Sequence, residues 1–131
     1  MVSTLGWINV VLIVLMASIY PVKLSYLRKI KVQGRQHAEI HGKIYNIIRK
    51  THPILGSLIV LIGLYHGWIA FGRFPLHTGT LVLGTIILMG LVALLGPKIK
   101  GLRKSWRSIH RGLGFLLFLL VIIHIYWRNL I

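Results

Sequence analysis

The chain has no cysteine and only one acidic residue, Glu39, in 131 positions. Without thiols there is no disulfide, no thiolate-held iron–sulfur cluster and no C-x-x-C-H element for covalent haem attachment. Any haem is therefore held without a covalent bond to the protein. What the chain has in place of acids is apolar surface and cations: 56% of the residues are hydrophobic and 16 are Lys or Arg, giving a formal charge of +15. A water-soluble core is not expected from that balance.

Stretches free of Asp, Glu, Lys and Arg run over 5–22, 53–72, 79–96 and 112–127. Each is close to the roughly 20 residues a helix needs to cross the hydrocarbon layer. The expected fold is an all-α membrane protein, a single four-transmembrane-helix bundle with spans at about 5–22, 53–72, 79–96 and 109–127. The first run has no basic start and no small-residue cleavage site, and many cations follow it. It is read as a retained span rather than a signal peptide.

The cations are grouped by topology. Lys23, Arg28, Lys29, Lys31, Arg35, Lys43, Arg49 and Lys50 lie between the first and second spans; Lys98, Lys100, Arg103, Lys104, Arg107 and Arg111 lie between the third and fourth. Only Arg73 and Arg128 fall on the other side. By the positive-inside rule both large loops are cytoplasmic and both termini outside, in a bacterial or archaeal cytoplasmic membrane. Topology and anionic lipid headgroups account for the charge, so no nucleic-acid partner is expected.

The second and fourth spans read as copies at an offset of 58 residues. His52 falls on His110, Gly56 on Gly114, His66 on His124 and, just upstream, Arg49 on Arg107. Two tandem helical hairpins follow, each a plain helix and then a histidine-bearing one. The two histidine-bearing helices cross in the same direction, so equivalent positions share a depth: His52 with His110 near the cytoplasmic surface, His66 with His124 toward the outer one.

Fourteen residues on a helix return to within roughly 40° of the starting direction after about 21 Å. Both histidines of each helix therefore face one way, at two levels inside one bilayer. A haem iron with two axial imidazoles needs one donor from each side, which two facing helices provide. His66 and His124 also lie inside apolar runs, where an ionisable group is costly and usually functional. The four histidines are accordingly the expected axial ligands of two b-type haems.

Other residues have two readings each. Gly56 and Gly63, with Gly112 and Gly114, either leave room for a flat macrocycle or let helices pack closely. Arg49, Arg107 and Arg111 inside, and Arg73 and Arg128 outside, either pair with haem propionates or serve topology. His37 and His41 are a turn apart around Glu39, a spacing able to hold a metal but short of ligands. His77 caps a helix, lies in a solvated loop, or meets a quinone or an electron acceptor. Met16 and Met89 are read as packing residues. Residues 36–50, with Ile40, Ile44, Ile47 and Ile48 on one face, either form a surface helix or run into the second span with a kink at Pro53.

The His52 to His66 and His110 to His124 pairs on two parallel spans resemble the dihaem core of respiratory cytochrome b and of the ferric-reductase and NADPH-oxidase transmembrane domains. The resemblance covers residues 49–127 and carries over only to these four histidines. It implies transmembrane electron transfer through two bis-histidine haems. No glycine-rich dinucleotide fingerprint and no flavin site stand in these residues, so the chain is not expected to take hydride by itself. Its electrons are expected from a separate donor protein or from quinol, as an electron-transfer protein or as a subunit of a larger complex. The competing readings are a quinol-linked haem anchor and a haem-free structural membrane protein.

Overall fold

The structure is a computed structural model, and it describes residues 2–72 and 76–127. It is helical throughout: α1 (Val2–Ala17), α2 (Ile19–Gln33), a single 3₁₀ turn at Gln36–Ala38, α3 (Glu39–Phe71), α4 (Thr78–Leu95) and α5 (Trp106–Tyr126). Four stretches are long and apolar enough to cross a membrane, with α1 and α2 together making the first. The chain is a multi-pass membrane protein.

Pro21 explains why α1 and α2 are distinguished at all. A proline has no N–H for the carbonyl four residues back, here that of Ala17, and its ring crowds that carbonyl. The interruption is confined to Ser18, whose backbone stays helical (φ −62°, ψ −17°) and whose hydroxyl donates to the Leu15 carbonyl at 2.6 Å. Val2–Gln33 is therefore one path of 32 residues, about 48 Å at 1.5 Å per residue, against a hydrocarbon layer of about 30 Å.

The same question at Pro53 is answered the same way. Residues 39–50 are the first part of α3, a continuous helix of 33 residues with Pro53 inside it; a separate surface helix over 36–50 does not form. Only the bond to the Arg49 carbonyl is lost. Hydroxyls bond the backbone nearby: Thr51 donates to the Ile47 and Ile48 carbonyls at 3.0 and 3.2 Å, and Ser57 to the Pro53 carbonyl at 3.1 Å.

Two compact units divide the chain: one is Trp7–Ile59, the other takes the residues up to Gly6 together with those from Val60 onward. In the first, α2 ends at Gly34, which takes φ +86° as only glycine does readily. The chain then turns back through the buried Ala38. Tyr26 and Tyr45 stack with centroids 6.1 Å apart, and buried Gly42 lies against the Tyr26 ring. This hairpin extends the helices past their apolar runs and carries the first cation group. Its Glu39 pairs with Lys43 at 2.7 Å on an exposed face.

In the second unit α4 packs on α5 as an antiparallel pair. The ten residues between them form successive turns rather than an open loop, with Ile99 N–H bonded to the Leu95 carbonyl and Arg103 N–H to that of Ile99. Gly96 at the end of α4 meets Trp106 at the start of α5, where no side chain would fit. Thr78, Leu83, Leu117 and Val121 are buried, while Phe115, Phe118, Leu119 and Ile122 are exposed. An apolar exterior is what a helix pair offers to lipid.

Candidate functional site

The two predicted ligands on α5 are each tied to α4 through the same ring atom. His110 Nδ1 donates to the Met89 carbonyl at 3.1 Å. Fourteen residues on, His124 Nδ1 and the Thr78 hydroxyl are 2.9 Å apart. α5 thus presents its histidines half-buried, with Nδ1 engaged at both levels and the buried Leu117 midway between them. A carbonyl can only accept, so the neutral His110 ring carries its proton on Nδ1 and its lone pair on Nε2.

The end of this pair at the start of α4 holds more than the His124 site alone. His77 is the N-cap of α4: its Nδ1 accepts from Thr80 N–H at 3.0 Å, with the Thr80 hydroxyl 3.1 Å away. Its ring meets the edge of Phe71 (4.5 Å between centroids) and lies 6.2 Å from the His124 ring. Because Nδ1 accepts, the proton sits on Nε2, which is buried and finds no acceptor among the described residues. Gly79 makes this crowding possible. A Cβ there would stand 2.8 Å from His77 Cε1 and 2.9 Å from His124 Cε1.

On α3, His66 is half-buried and its ring lies against Gly6 of α1, whose Cβ would be 3.4 Å from Cε1 and 3.7 Å from Nε2. Its Nδ1 is buried with no hydrogen-bond partner among the described residues. His52 is half-buried one residue before Pro53, in the unit Trp7–Ile59, whereas His66, His110 and His124 belong to the other unit.

Of the glycines read as haem clearance, Gly56 faces the Met16 methyl (3.5 Å from its Cβ direction) and Gly114 the Met89 methyl (3.7 Å). Gly112 faces open space. Gly56 and Gly114 are thus seats for a methionine of the neighbouring plain helix, the close-packing use of small residues. Arg49 is exposed. Arg107 lies over the Trp106 ring at 5.3 Å, and Arg111 bonds the Arg107 carbonyl and the Ser108 hydroxyl. Arg73 and Arg128 lie outside the described residues. His37 donates to the Gln33 carbonyl at 2.9 Å from the 3₁₀ turn, whereas His41 is on α3; no three His, Cys, Asp or Glu gather to hold a bare ion among the described residues.

These contacts extend the repeat to the plain helices. At an offset of 73 residues Gly6 falls on Gly79 and Met16 on Met89. Gly6 meets His66 as Gly79 meets His124, and Met16 meets Gly56 as Met89 meets Gly114. No protein family, curated protein or solved structure matches the chain.

Proposed function

We propose that the chain moves single electrons across the membrane through two b-type haems, held by His52 with His110 on the cytoplasmic side and by His66 with His124 on the outer side. The observation that carries this reading is the state of His110. Its Nδ1–H is spent on the Met89 carbonyl, which leaves Nε2 as the donor nitrogen and fixes the ring's rotation, as the outer-shell partner of a metal-ligating histidine does. The donor set is of the right kind: two imidazoles for each level suit an iron whose remaining bonds come from a macrocycle. Bound haem would supply a one-electron couple at each level. The protein's part is to orient imidazoles, bury them among apolar side chains and keep the levels about 21 Å apart along the helix.

Purified protein is expected to show a b-type reduced-minus-oxidised spectrum with two haems per chain, and His66→Ala or His124→Ala to remove one. Colourless protein, or haem content unmoved by both substitutions, sinks the proposal and leaves a haem-free structural or lipid-interacting role.

The quinol-linked reading has its own observation in the buried His77 Nε2–H beside His124. A quinone carbonyl is an acceptor of the kind that donor lacks. On this reading a quinol analogue reduces the haems of the isolated protein, and His77→Ala slows that reduction at unchanged haem content. If the analogue leaves the haems oxidised, the electrons come from a separate donor protein.

A further inference from the structure

The two halves of the repeat make matching contacts and then differ next to the proposed outer histidines, where Thr4 and Leu5 fall on His77 and Thr78. In the register that lays Gly6 on Gly79 and Met16 on Met89, Leu5 stands where Thr78 stands. Thr78 is 1% exposed, and its hydroxyl is 2.9 Å from His124 Nδ1. Leu5 has no polar atom, and His66 Nδ1 is buried without a hydrogen-bond partner among the described residues. The Thr78 hydroxyl is not needed to cap α4, because His77 does that.

We propose that Thr78 is a positioning residue that makes the two axial ligands of the outer haem unequal, with Leu5 the counterpart that leaves His66 without an anchor. The inference rests on the dihaem reading. A histidine that offers Nε2 to iron carries its proton on Nδ1, so His124 donates to the Thr78 oxygen. That bond sets the ring's rotation and raises the basicity of the imidazole, which favours ferric iron. His66, whose ring lies against Gly6 and whose Nδ1 has no hydrogen-bond partner among the described residues, is the weaker donor of the pair.

The test is a redox titration of the purified full chain, followed optically and by the low-spin ferric resonance signals. Thr78→Val keeps the shape and removes the hydroxyl. It is expected to retain two haems and raise the potential of one component, increasing its ferrous-to-ferric ratio about tenfold at fixed ambient potential, or ~59 mV for one electron. The other component stays put, and Thr78→Ser restores the wild-type value. Leu5→Thr gives His66 an acceptor and moves the same component the opposite way. Two haems with unmoved potentials in Thr78→Val overturn the inference. So does haem loss with the remaining potential unmoved, which makes the hydroxyl merely structural, or shifts of different components by the two variants. A colourless wild-type protein is the separate failure of the dihaem reading and is seen before any variant is made.

Discussion

An added methyl group would tell the surroundings of His66 and His124 apart. At position 79 it would stand under 3 Å from both His77 and His124, so one ring must move; at position 6 it would make ordinary contact with His66 at 3.4 Å. Gly79→Ala is expected to cost about 1–3 kcal/mol of stability, the usual range for overpacking, and, on the dihaem proposal, to broaden or split the spectrum of the haem assigned to His66 and His124. Gly6→Ala should leave both nearly unchanged. Equal effects in the two variants would show that the contacts around Gly79 relax freely. Neither glycine could be singled out by sequence, because glycine in a membrane helix is common and its neighbour on another helix is not written in its own run. Thr78 was hidden for a similar reason: its hydroxyl meets a histidine on another helix, which no local pattern in its own run shows. The four histidines stood out as candidates because their spacing is long, repeated and matched to the helical period.

Each histidine-bearing helix buries its midpoint, Ile59 on α3 and Leu117 on α5, seven residues from the histidine on either side. Both are therefore expected to be sensitive, with Ile59→Ala and Leu117→Ala each costing about 2–5 kcal/mol as core truncations do, measurable as a loss of thermal stability in detergent. The prolines work in the other direction. Pro53→Ala restores an N–H for the Arg49 carbonyl and should stabilise α3 by at most about 3 kcal/mol; a fall in the unfolding midpoint would mean that the kink itself is needed. The existence of the spans followed from charge-free runs of the right length. Where the helices end did not, because a proline removes one bond and the cost of that is settled by nearby hydroxyls such as Thr51 rather than by the proline. The amphipathic look of residues 36–50 arose from the first turns of α3, whose inner face stacks Tyr45 on Tyr26 while Ile40 and Ile47 stay exposed.

At the level of the whole chain, the absence of cysteine makes orientation directly testable. Ser25→Cys and Ser105→Cys, each in a cation-rich segment, are expected to react with an impermeant maleimide only after the membrane is opened, and Leu76→Cys in intact cells. The reverse pattern would invert the proposed assignment of inner and outer sites. The duplication was half legible. An offset of 58 aligns the histidine-bearing helices but fails on the plain ones, which align at 73, because the first half spends fifteen more residues on its extended helical hairpin than the second spends on the turns after Gly96. If the halves descend from one ancestral hairpin, that hairpin worked as two identical chains. Such a pair could carry only threonine twice or leucine twice beside its outer histidines. Joining the copies in one gene is what allowed Leu5 and Thr78 to part company, so that the metal centre proposed between His66 and His124 would be flanked by neighbours of different character.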